Sequence, residues 1–108
     1  MANHFLMIYQ IPADHPDFRE YAFTGWAAAV KARGSEDIPR DRYRMVWSEK
    51  LERYPDLDEI YERFNINHPE GYAGRSLSIS DLVEVDGDLY FCDEYRWRQV
   101  RWEDDPDE

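Results

Sequence analysis

Leu, Ile, Val and Phe make up only 22 of the 108 residues, close to the ~20% below which a chain struggles to bury enough apolar surface to fold. Any core must therefore be built largely on rings. Four Trp and eight Tyr stand beside five Phe, and one aromatic buries about 150–250 Å². A chain of this length makes one domain and buries roughly 60–70% of its unfolded surface without staples. The single cysteine, Cys92, excludes a disulfide framework and a Cys-based zinc site, and fits a reducing cytoplasm. No apolar run approaches the ~18 residues of a membrane span. The start, MANHFLMIYQIP, has no basic segment ahead of its short apolar stretch, which argues against a secretory signal.

Charge is divided unevenly along the chain. The formal net charge is −11. Residues 1–54 carry eight acids and eight bases, whereas residues 55–108 carry sixteen acids and five bases. Five of those acids lie in the tail, residues 103–108, which reads either as a solvated terminus or as part of a partner surface. Direct DNA binding is disfavoured, because neutralising phosphates needs an excess of Lys and Arg. A basic partner surface is the natural counterpart.

The pattern of apolar residues predicts an α+β domain. Residues 5–11 form a continuous apolar run stopped by Pro12, a buried strand. Residues 17–33 fit either a helix capped by Asp17 and Glu20, or an extended piece followed by a helix over about 26–32 that Gly34 stops. Residues 42–47 alternate as a strand, with Tyr43, Met45 and Trp47 on one face and Arg40, Arg42 and Arg44 on the other. The clearest helix covers about 56–65: Asp56 and Glu59 make a capping box, and Leu57, Ile60, Tyr61 and Phe64 recur at helical spacing. Asp86-Gly87 between 82–85 and 89–92 predicts a hairpin with a type I′ turn, and residues 97–102 add a strand. The expectation is one domain over residues 1–102 with a mainly antiparallel sheet. One clear helix and a second over about 25–33 pack on that sheet, and an acidic tail follows.

Little in this pattern points to catalysis. Cys92 sits mid-strand beside Asp93, which raises a thiol pKa. His4, His15 and His68 are scattered without ligand spacing, and Gly74-Arg75-Ser76 lacks the lysine and glycine spacing of a phosphate loop. We therefore expect no enzyme activity, no metal and no cofactor. Three features invite a binding interpretation instead. The first is the acid-rich second half, with Glu84, Asp86, Asp88, Asp93, Glu94, Glu103, Asp104 and Asp105 as candidate contacts. The second is the Arg40, Arg42 and Arg44 stripe with Tyr43 and Trp47, which can meet RNA phosphates and bases or simply pair with Asp41 and Glu36. The third is the aromatic group Tyr90, Tyr95, Trp97 and Trp102, suited to an interface or to a small core.

The stretch Ile60-Tyr61-Glu62-Arg63-Phe64-Asn65-Ile66-Asn67-His68-Pro69-Glu70, with Gly74-Arg75-Ser76-Leu77-Ser78-Ile79-Ser80-Asp81-Leu82-Val83, resembles the YodL-like domain. Ile8-Tyr9-Gln10, Arg19-Glu20-Tyr21-Ala22-Phe23 and Tyr43-Arg44-Met45-Val46-Trp47 are similar too, so the resemblance spans most of residues 5–102. It implies a small domain of Gram-positive bacteria, their mobile elements and phages, with no established enzyme activity. Two departures stand out. Gly71-Tyr72 occupies the place of an acid and Phe, and Arg96 replaces a glycine, so the turn before the last strand displays a charge. Within the motif, Asn65 can end the helix in a left-handed cap, while Ser78, Ser80 and Asp81 can bond backbone groups. Asn65, His68, Arg75, Ser78, Ser80 and Asp81 thus serve either the fold or a partner.

Together these features lead us to expect a non-enzymatic, cytoplasmic inhibitor from a phage or mobile element. Its target would be a bacterial nucleic-acid-targeting defence system of the CRISPR or restriction type, whose basic surface it occupies. The alternative is a regulatory module that binds protein or RNA through the arginine stripe and surface aromatics.

Overall fold

The computed structural model describes residues 3–94 and 96–105. Along the chain run β1 (His4–Gln10), α1 (Phe18–Tyr21), α2 (Trp26–Arg33), a 3₁₀ turn (Arg40–Arg42), β2 (Arg44–Leu51), α3 (Leu57–Ile66), β3 (Leu82–Val85), β4 (Asp88–Cys92) and β5 (Trp97–Val100). The strands form one antiparallel sheet in the order β2-β1-β3-β4-β5. This is the expected α+β class.

Strand alternation sends side chains to two faces, and each face finds its own helix. Leu6 pairs with Val85 and Ile8 with Val83; these four pack beneath Ile60 and Phe64 of α3, with Leu77 closing the cluster. Leu82 pairs with Phe91, and on this opposite face Leu82, Leu89 and Phe91 meet Trp26 of α2, Ile38 and Trp102. A third group, Ile11, Tyr21, Ala22 and Ala29, joins α1 to α2. The scarcity of aliphatics is met as composition requires: Trp102, Phe64 and Phe91 are the largest fully buried side chains.

Local signals explain most boundaries. Asp56 accepts a hydrogen bond from the Asp58 N–H (2.8 Å) and caps α3, although Glu59 turns to Arg53 (3.8 Å) rather than completing the box. Gly34 ends α2 at φ 76°, a left-handed cap with little cost for glycine. Asp86 and Gly87 both have positive φ, 52° and 89°, as a type I′ turn demands.

Several expectations are corrected. Asp17 does not cap α1; its carboxylate bonds Arg42 Nε at 3.0 Å instead, and α1 stops after one turn. Arg40 and Arg42 lie in the 3₁₀ turn, and β2 begins only at Arg44. Met45 and Trp47 do not share a face. A bulge pairs Ile8 with Trp47 and Tyr9 with Met45, so Val46 is the extra residue and reverses the alternation. Trp47 then joins Phe64 and Tyr72 over α3 (centroids 6.0 Å each), while Met45 faces the other way. Asn65 is helical, its side-chain amide donating to the Tyr61 carbonyl at 2.9 Å, and α3 continues through Ile66. β5 ends at Val100, beyond which Trp102 makes a parallel bridge to Ile38.

Candidate functional site, an acidic aromatic groove beside α3

The motif residues gather at one end of the sheet around a buried carboxylate. Asp81 is fully buried, and its Oδ2 accepts hydrogen bonds from the Ser78 N–H (2.9 Å) and from Gln10 Nε2 (3.0 Å). Gln10 Nε2 also donates to the Arg75 carbonyl, whose other donor is the Tyr72 hydroxyl (2.6 Å), and the Arg75 N–H donates to Gln10 Oε1 (3.0 Å). Arg75 Nη2 lies 3.9 Å from Asp81 Oδ1. Desolvation outweighs these favourable contacts and pushes Asp81 up to about 7. Ser80 holds a left-handed φ of 84°. Its strain is offset by three bonds: its Oγ accepts from the Phe23 N–H, its carbonyl accepts from the Tyr43 hydroxyl, and its N–H donates to the Cys92 carbonyl. This network ties β1, β3, β4 and the 72–80 loop together. His68 stays exposed, its ring 5.2 Å from that of Tyr72. Cys92 is buried, and burial pushes its thiol up to about 12, the direction expected for an unreactive cysteine.

The arginine stripe is taken apart by the fold. Arg42 is buried, its guanidinium 3.7 Å from the Tyr21 ring centre and paired with Asp17. Arg40 lies over Trp102 at 4.3 Å and its Nε donates to both carboxylate oxygens of Asp104 (3.1 and 3.0 Å). Arg44 is the most exposed of the three, 4.0 Å from Asp14. Tyr43 and Trp47 point to opposite sides of the sheet, into separate clusters.

Most of the candidate acids are likewise engaged within the molecule. Glu84 accepts from the Tyr9 hydroxyl (2.9 Å), Asp88 from the Tyr54 hydroxyl (3.3 Å), and Asp86 from the Phe5 N–H (2.9 Å) while also bonding His4. Asp93 Oδ1 accepts from the N–H groups of Trp26 (3.0 Å) and Glu94 (2.9 Å), so it serves the start of α2. Asp104 and Asp105 face Arg40, and the Glu103 N–H donates to the Ile38 carbonyl (2.8 Å), which holds the beginning of the tail against the domain. Of the candidate set, Glu94 and Glu103 are exposed and without an ion-pair partner among the described residues. Asp107 and Glu108 lie outside the described residues, as does Tyr95.

Glu94 borders a groove of about 420 Å³ between α3 and the turn joining β4 to β5. Tyr61 of α3 and Trp97 of β5 line it side by side, edge to face with centroids 6.5 Å apart; Cys92 and Ile79 also line it, and Asp58, Asp93 and Glu94 supply carboxylates. Arg96 is the one cation lining it among the described residues, and it is exposed on the turn between β4 and β5. Asp58 is exposed, as is Glu62 one helical turn further on, and neither has an ion-pair partner among the described residues. Aromatic faces bordered by carboxylates attract a guanidinium or an ammonium group, through the ring quadrupole and charge-assisted hydrogen bonds.

Sequence reasoning did not find this groove. Tyr61 reads as part of the apolar stripe with Leu57, Ile60 and Phe64, but it sits at the stripe's edge and stays 41% exposed where Ile60 is 4% and Phe64 0%. The usable signal was the acids at 58 and 62, which flank Tyr61 on the helix surface. No signal linked that surface to Trp97.

The family model of the YodL-like domain matches residues 5–102. The chain belongs to that family. No curated protein and no solved structure matches it.

Proposed function

We propose that this YodL-like domain is a non-catalytic, acidic inhibitor from a phage or mobile element. It works in the cytoplasm by covering a basic, nucleic-acid-handling surface of a bacterial defence complex, a CRISPR effector or a restriction enzyme. No helix among the described residues is long and apolar enough to cross a membrane. The observation that carries the proposal is the distribution of uncompensated charge. Three arginines on the α2 face, Arg40, Arg42 and Arg101, are matched by Asp17, Asp37, Asp104 and Asp105. Asp58, Glu62 and Glu94, by contrast, stand on or beside α3 with no such partner among the described residues. Such a surface repels nucleic acid and favours encounter with Lys/Arg-rich protein sites.

The test is phage plating on a bacterium that carries a CRISPR or restriction system, with and without this protein. Purified effector is then mixed with the protein at low and high salt. Restored plating, and a complex that salt dissolves, support inhibition by charge. Unrestored plating across both kinds of system overturns it. A gel shift with guide RNA, lost on Arg44→Ala, would replace it with RNA recognition.

A further inference from the structure

We infer that the groove between α3 and the β4–β5 turn is the docking point for the partner, and that it takes an arginine side chain from a basic protein segment. The inference rests on the proposed acidic inhibitor and narrows it from a charged face to one site.

Three observations converge there. Tyr61 and Trp97 expose ring surface to one concavity, and Trp97 is anchored from below by the core around Leu6 and Phe64. A ring held that way gives binding area without paying much ordering entropy. Asp58 on α3 and Glu94 on the β4–β5 turn both line it, exposed and without a cation partner among the described residues. Several acids elsewhere are already committed, Asp104 and Asp105 to Arg40 and Asp86 to His4. Recruiting those would first require breaking an internal pair. Of the acids without an ion pair among the described residues, only Asp58, Asp93 and Glu94 border this aromatic groove, and Asp93 already accepts from the Trp26 N–H. Arginine fits better than lysine, because a planar guanidinium stacks on a ring while its fork reaches carboxylates. A second copy of this chain is a poor occupant, since each molecule carries a net charge of −11. The same sign disfavours nucleic acid at this groove.

Arg96 then acts as a rim cation opposing entry. Its removal should tighten binding by about two- to five-fold, the usual effect of one exposed charge.

A hexa-arginine peptide, titrated calorimetrically at low salt, reads the site directly. Asp58→Asn with Glu94→Gln should weaken binding about tenfold. Glu20→Gln with Glu36→Gln, which removes the same charge from exposed positions elsewhere, should change it less than about twofold. Tyr61→Ala should weaken it, Arg96→Ala should strengthen it, and hexa-lysine should bind more weakly. Circular dichroism checks that each variant is folded. Equal weakening by the two charge pairs overturns the inference, because net charge alone would then explain the affinity. Hexa-lysine binding as tightly as hexa-arginine overturns the arginine assignment. Plating separates this idea from the broader proposal. If the unaltered protein restores plating and Asp58→Asn with Glu94→Gln restores it equally, the groove is wrong and inhibition stands. If the unaltered protein restores nothing, inhibition is wrong and the titration still judges the groove.

Discussion

Asp81 concentrates the chemistry of single residues in this domain. Its carboxyl is fully buried and titrates near 7, raised by desolvation against the pull of Ser78, Gln10 and Arg75. Unfolded, the same group titrates near ~3.9. Between those values the folded state keeps a proton that the unfolded state has released, so stability falls as pH rises through that window. Asp81→Asn should remove this slope. Its destabilisation relative to the parent should therefore shrink as pH rises from about 4 to about 7, by a few kcal/mol at one pKa unit per ~1.4 kcal/mol. Urea unfolding midpoints across that range check the sign, and parallel pH profiles for the two proteins would contradict it. Gly74 makes a second residue-scale case. A methyl group there would meet Tyr72 Oη at 2.6 Å and Gln10 Oε1 at 2.9 Å, the two atoms that hold the Arg75 backbone. Gly74→Ala should cost about 1–3 kcal/mol in thermal or urea unfolding. The Ser-x-Ser-Asp pattern was visible in the sequence with its backbone-bonding capacity, but Gln10 was not. It lies 71 residues away from Asp81, and only the pairing of β1 with β3 brings the two together.

At the scale of elements, α3 is strapped to β2 by Glu49 and Arg63, joined by two bonds of 2.8 and 3.1 Å. Burial pushes Glu49 up, but the bonds from Arg63 and Trp47 more than reverse this and hold it below the usual carboxylate range. Both partners are partly exposed, so solvent screens the pair. Glu49→Gln should cost about 1 kcal/mol, readable as a lower unfolding midpoint at neutral pH. The loss should diminish in acid, where Glu49 is protonated in the parent as well. α3 and the Asp86-Gly87 hairpin were legible because their signals are local: a cap, a helical period, and a dipeptide that tolerates positive φ. The arginine stripe failed for a complementary reason. Strict alternation from Arg40 to Trp47 assumes one continuous strand, and a 3₁₀ turn followed by the bulge at Val46 breaks that assumption twice.

Viewed whole, the molecule is a sheet with α3 on one face and α2 on the other, closed at the C-terminal side by Trp102. That indole is 1% exposed, within 5.0 Å of Tyr9 and 6.3 Å of Tyr43 by ring centres, and covered by Arg40. Trp102→Ala should cost about 3–5 kcal/mol, a large share of the 5–15 kcal/mol typical of a domain. It should also free the segment after β5, which calorimetric or urea unfolding and hydrogen exchange at Glu103 would detect. Unchanged protection at Glu103 in that variant would contradict the role of Trp102 as the anchor.

By itself the sequence determined the class of fold, the family, the helix at α3, the hairpin and the acidic character of the second half. These depend on composition and on patterns spanning a few residues, which the chain carries wherever it folds. Tertiary structure decided which charges are available. Arg42 vanished under Tyr21, Arg40 took up Asp104 and Asp105, and Asp86 turned to His4. Asp58 and Glu94 were left uncommitted beside a groove lined by Tyr61 and Trp97. A charge count sums over residues regardless of place. The electrostatics of a surface depends on which opposite charges lie within a few ångströms, and pairs such as Arg40 with Asp104, 64 residues apart, are set only by the folded path of the chain.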